Sequence, residues 1–131
     1  MAEDIIDHVE VPVANAAKSL KFYEAALAPL SLSLVISIDA SRTANGGARH
    51  GFGKDGYPRL WIHERRGATL PMHVAFATAE REVVDAFYSA ALANGGSDNG
   101  GPGIRERYHS SYYAAYVHDP DGNNIEAVCQ N

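Results

Sequence analysis

Apolar and polar positions alternate with a period of two over residues 5–13, where Val9, Val11 and Val13 share one face and His8 and Glu10 the other. That pattern, bounded by Pro12 and Asn15, predicts a strand over Ile5–Val13. The period then changes. Leu20, Tyr23 and Leu27 recur at helical spacing behind Asn15, a good N-cap, so a helix is expected up to about Ala28, where Pro29 stops it. Strands follow over Leu32–Ile38, His50–Lys54 and Arg59–His63, the last two joined by the Asp55-Gly56-Tyr57 turn, with a polar loop over Asp39–Gly47. After the Arg65–Gly67 linker the pattern predicts a strand over Met72–Ala77 and a helix over Glu80–Asn94, closed by Gly95-Gly96. A glycine-rich exposed loop runs to Gly103, and a short strand covers Ile104–Arg107. A final hairpin turns at Asp119-Pro120-Asp121-Gly122, where proline presets φ and glycine accepts a positive one.

The second half repeats the first. A shift of 65 residues places His8-Val9 on His73-Val74, Phe22-Tyr23 on Phe87-Tyr88 and the Ala25–Ala28 run on Ala90–Ala93. Nine of the 21 positions from His8 to Ala28 coincide without a gap. The expected fold class is therefore α+β: two βαβββ modules, about 1–66 and 67–131, within one domain. Their strands should form an incomplete eight-stranded barrel with the helices on its outer face. Neither half buries much core alone, so the sheets join each other or those of another chain.

Composition narrows the partners. The formal charge of −5 and the lack of a basic stripe exclude nucleic acid. No apolar run reaches the roughly 20 residues of a membrane span, and Ala2-Glu3-Asp4 does not open like a signal peptide. Cys129 is the single cysteine, so no disulfide framework is expected and a reducing, cytoplasmic setting fits.

The strand faces gather the chemistry. His8 and Glu10 oppose Val9 and Val11; His73 opposes Val74; Glu126 opposes Ile125 and Ala127; and Arg59, Trp61 and His63 oppose Leu60 and Ile62. A carboxylate among small apolar neighbours in a strand needs a partner, a proton or a metal. Two neutral imidazoles and a carboxylate suit a divalent ion of the Mn, Fe, Co, Ni or Zn type, with open positions for water or substrate.

Asp7-His8-Val9, Phe22-Tyr23, His73-Val74 and Asp119-Pro120-Asp121-Gly122 followed by Glu126 together resemble the vicinal oxygen chelate superfamily: glyoxalases, fosfomycin-resistance transferases, bleomycin-resistance proteins and extradiol dioxygenases. The resemblance implies metal ligands at His8, His73 and Glu126. The fourth position falls on Trp61 by the 65-residue shift, with His63 one pleat further along. A site with His63 in place resembles glyoxalase I; a three-ligand site resembles the dioxygenases and fosfomycin transferases. The latter rely on a threonine where this chain has Glu10, and on an arginine beyond the last ligand, whereas no arginine follows Arg107. The implied function is a glyoxalase-like lyase or isomerase that chelates a small vicinally oxygenated substrate, with an extradiol-type dioxygenase or a metal-free, bleomycin-resistance-like binding protein as alternatives. Family members often exchange modules between chains, so a homodimer is expected.

Around these ligands, Glu126 and Glu10 are the candidate catalytic carboxylates. Glu10 also reads as a rim carboxylate paired with Arg59 or another cation. Trp61 and Arg59 are expected in the substrate pocket, with Trp61 as a wall suited to a planar ligand. Tyr112 and Tyr113 are candidates to reach it as hydrogen-bond donors. Asp119 and Asp121 read as turn formers, and Phe22 and Phe87 as core.

Overall fold

The computed structural model describes residues 5–67 and 70–131. The first module runs β1 (Val9–Val13), α1 (Ala16–Leu27), β2 (Ser33–Ile38), β3 (Arg49–Lys54) and β4 (Tyr57–Glu64). The second runs β5 (His73–Ala77), α2 (Arg81–Ala93), β6 (Ser97–Asp98), β7 (Gly103–Ile104), β8 (Tyr113–His118) and β9 (Asn124–Cys129). One sheet has the order β1-β4-β3-β2, the other β5-β9-β8-β6 with β7 also on β8. In each, the first strand lies parallel to the last, Val9 beside Leu60 and His73 beside Asn124. The two modules thus share one topology, and the barrel is not closed.

Local chemistry sets these elements. The Asn15 side chain accepts from Lys18 N at 3.0 Å and opens α1. The β3–β4 turn places Asp55 and Gly56 at φ of 54° and 75°, the left-handed pair that a two-residue hairpin needs. At the β8–β9 turn, Asp119 Oδ1 accepts from the amides of Asp121 and Asn123 at 2.9 and 2.8 Å. Its other oxygen, Oδ2, accepts from the Tyr23 hydroxyl at 2.6 Å and ties the second module's turn to α1.

The helices pack on each other, with α1 against β4 and α2 against β8 and β9. Phe22, Tyr23 and Leu27 of α1 join Phe87 and Val84 of α2, Ile62 of β4 and Ile125 of β9 in one buried cluster shared by both modules. Burying such side chains contributes on the order of 2 kcal/mol each. Because side chains alternate, the residues opposite this cluster form the second face of each sheet, and Glu126 lies there.

Three expectations change. The first strand begins at Val9, not Ile5. Pairing with β4 starts at Val9 beside Leu60, and Ile5 and Ile6 stay exposed, which leaves His8 ahead of the strand. The glycine-rich run contains strand β6, because Ser97 and Asp98 pair with His118 and Val117. The strand expected over Ile104–Arg107 is confined to Gly103–Ile104, paired with Ala114 and Tyr113.

Candidate functional site

On the face of the second sheet that points away from the helices, Glu126 lies between Ala75 and Tyr116 in register. Its carboxylate is 1% exposed. His73 Nε2 stands 2.8 Å from Oε1, and the Tyr112 hydroxyl donates to Oε2 at 2.6 Å. Both oxygens are therefore held, as a buried carboxylate requires. Burial first, then the hydrogen bond to Glu126, pushes the Tyr112 hydroxyl far above its ordinary pKa, so it keeps its proton and acts as a donor. Tyr108 packs against Tyr112 with its ring tilted by 48° and the centroids 4.7 Å apart, and His109 meets the same ring edge-on at 5.6 Å. His73 itself is half exposed.

The corresponding face of the first sheet carries a charge cluster. Glu10 Oε1 accepts from Arg49 Nη2 at 2.7 Å, its Oε2 stands 3.3 Å from His63 Nδ1, and Arg65 lies at 3.8 Å. Partial burial raises the Glu10 pKa, but the His63 hydrogen bond and the Arg49 charge outweigh it and hold the carboxyl below its usual value. His63 Nε2 stands 2.8 Å from Asn45 Oδ1. The Asn45 amide is oriented by its Nδ2 donating to the Glu64 carbonyl and by Gly47 N donating to Oδ1. Both His63 nitrogens are thus engaged, one by Glu10 and one by Asn45. Arg49 also lies over the Trp61 ring at 4.4 Å.

Measured against the sequence expectations, the structure brings His73, Glu126 and Tyr112 together and leaves His8 apart. His8 Nδ1 turns to Asp7 Oδ1 at 2.7 Å. Among the described residues no three His, Cys, Asp or Glu side chains gather as a metal-ligand group. Glu10 is ion-paired, with Arg49 rather than Arg59 as its cation. Arg59 instead donates to the Asp7 carbonyl at 3.0 Å and lies over Tyr57. Tyr113 does not join the pocket: it shares the helix-side face with Cys129, and its hydroxyl donates to Asp85 on α2 at 2.6 Å. Sequence reasoning missed Arg49 and Asn45. The β3–β4 turn alone would set Arg49 opposite Ile62; a register shift between Phe52 and Gly53 brings it opposite His63 instead, and nothing in the turn residues signals that shift.

Two cavities adjoin these groups. One of about 520 Å³ lies where β1 and β4 approach β5, with His73, Arg59, Val9, Leu60, Met72 and Phe76 in its walls. The other, about 1020 Å³, is bordered by His63, Glu64, Arg65, Arg66 and residues 45–47.

A glyoxalase/bleomycin resistance protein from Albidiferax ferrireducens T118 superimposes with a TM-score of 0.77 at 29% identity, over 96% of this chain and 99% of that one. A glyoxylase/bleomycin resistance protein/dioxygenase domain from Frankia sp. EAN1pec is similar at a TM-score of 0.74 and 13% identity, over 99% and 100%. Glyoxalase I from Zea mays is similar in fold at a TM-score of 0.70 and 23% identity, over 95% of this chain and 45% of that one. No curated protein matches the sequence. Residues 5–127 match the Glyoxalase/Bleomycin resistance protein/Dioxygenase superfamily as a family, and the chain belongs to it.

Proposed function

We propose that the chain is a glyoxalase-like enzyme, a lyase or isomerase, acting on a small vicinally oxygenated molecule at a divalent-cation site built on His73 and Glu126. One observation carries this reading: a fully buried strand carboxylate whose Oε1 stands 2.8 Å from Nε2 of a half-exposed histidine. Two protein donors bound side by side to one ion, each at about 2.1 Å, lie about 3 Å apart. The pair therefore fits two positions of a single cation. The chain's described residues bring no third donor to it. We assign that role to His8 of a second copy, because the His73 ring is half exposed and the resemblance to glyoxalases implies paired modules. When bound, such a cation polarises two neighbouring substrate oxygens.

The chain's own residues then have distinct tasks. Tyr112 fixes Oε2 and keeps the Glu126 carboxylate in one orientation. Glu126 is the candidate to take or return a substrate proton. Glu10, tied to Arg49, places a fixed charge pair beside Trp61 rather than a base. The test is turnover of 1,2-dicarbonyls, hydroxy ketones and catechols with Mn, Fe, Ni or Zn supplied, in air and without oxygen. Turnover without oxygen supports the lyase or isomerase. Turnover that consumes O2 and needs Fe(II) or Mn(II) replaces it with the dioxygenase. A metal-free binding role is the second reading, favoured by the turn of His8 toward Asp7, and it is supported if ligands bind without metal and none is converted.

A further inference from the structure

Tyr116 shares the row of Glu126 on the sheet face that points away from the helices, and its ring centroid lies 6.4 Å from that of His73. The Arg105 guanidinium lies over the same tyrosine ring at 5.2 Å, with Nη2 donating to the Gly101 carbonyl at 2.6 Å. The glycine-rich run makes that close approach possible. A Cβ at Gly100 would stand 3.2 Å from Arg105 Nη2 and 3.1 Å from the Tyr116 ring, and one at Gly103 would stand 3.1 Å from Nη1. Arg105 is half-buried, yet it makes no ion pair among the described residues. Asp98, the acid of the glycine-rich run, is taken by the Tyr88 hydroxyl and the Gly100 amide. Glu106, next in sequence, is exposed and does not pair with Arg105. The Nη1 donor finds no acceptor among the described residues and is not sealed from solvent.

We propose that Arg105 holds an anionic group of the substrate, so that the substrate is a small acid whose carbon frame crosses the Tyr116 ring and whose vicinal oxygens reach His73 and Glu126. This rests on the reading of His73 and Glu126 as the working site. A guanidinium is a planar fork of N–H donors that matches two oxygens of a carboxylate or phosphoryl group. Gly101 holds one edge of the Arg105 fork and the Tyr116 ring supports its plane, so little side-chain freedom is lost when an anion docks. Burial first, then the Glu126 charge, raises the Tyr116 pKa, so the ring stays neutral beneath the cation and leaves its charge for a ligand.

The test is calorimetric titration of the intact protein with 2-oxo acids that share their vicinal oxygens and differ at the far end: 2-oxoglutarate, its distal amide, and the distal phosphonate of the same length. In the wild type both distal anions should bind roughly 10–100-fold more tightly than the amide. A preference for one anion over the other separates carboxylate from phosphoryl substrates. Arg105→Gln should remove the preference and leave the affinity of the amide unchanged. Gly103→Ala, which crowds Nη1 and leaves the charge in place, should shrink it. Arg107→Gln removes an equal charge beside Tyr108 and should leave it intact. Equal affinity for anion and amide overturns the proposal, as does failure of every distal anion to bind, or a preference that survives Arg105→Gln or is lost equally in Arg107→Gln. Glu126→Gln separates the two readings. If it abolishes turnover while anion and amide bind alike, only the Arg105 inference fails. If turnover survives it while the preference still depends on Arg105, the Glu126 assignment fails and the anion subsite stands.

Discussion

Glu126 and His73 are 53 positions apart in sequence and 2.8 Å apart in space, on adjacent parallel strands whose register sets His73 two residues before Ala75, the residue in the carboxylate's own row. Tyr112 closes the other side of that carboxylate. Tyr112→Phe removes a hydrogen bond without changing ring packing on Tyr108. The expected result is a roughly 10–100-fold loss of divalent-ion affinity, as for other residues that orient a ligand, with unchanged far-UV circular dichroism. Unaltered ion affinity would mean that Glu126 needs no orienting donor.

The bond from Tyr23 to Asp119 is a short polar link between α1 and the second module's turn, beside a longer one from Ser19 to Asp121, and both Tyr23 and Asp119 are buried. Burial first, then the neighbouring Asp119 charge, drives the Tyr23 pKa well above its ordinary value, so the hydroxyl stays a donor. Tyr23→Phe should cost about 1.5–3 kcal/mol, seen as a lower urea midpoint at unchanged slope. A midpoint equal to wild type would show that Asn123 and the turn amides satisfy Asp119 without Tyr23.

How much of this was legible in the chain depends on how local each determinant is. The turn at Asp119–Gly122 and the alternation around Glu126 are written within a few residues, and the repeated histidine and Phe-Tyr pair expose the module symmetry. The position of His8 is not local. It depends on where pairing with β4 stops, and that falls at Val9 beside Leu60. Tyr112 and Tyr113 differ by one residue, which reverses the face in a strand, and only the β8–β9 register decides which of them reaches Glu126. The cation for Glu10 likewise depends on strand order, which puts Arg49 of β3 across β4 from it.

Glu10 carries a pH signature. Its folded pKa lies below the ordinary 4.5. The stability it contributes is therefore fully present above that value and is lost as pH falls through and below it. Wild type should lose stability more steeply than Glu10→Gln between about pH 5 and 3, measured by urea midpoints in matched buffers. Parallel acid profiles for the two proteins would show that the Arg49–Glu10–His63 cluster is not energetically linked to folding.

Completion of the site by His8 of a second copy requires a homodimer. Sedimentation equilibrium should give twice the 14.1 kDa chain mass, and a single 14.1 kDa species would remove that source of the third ligand.

The most direct measurement for the central claim is divalent-ion stoichiometry by elemental analysis after loading metal-stripped protein with Mn, Fe, Ni or Zn and removing excess. The account predicts about one ion per chain in the wild type. It predicts a loss in Glu126→Gln and His73→Ala larger than the roughly hundredfold weakening caused by a supporting residue. Wild-type protein that takes up none of the four, or a Glu126→Gln variant that retains the full complement, would contradict it.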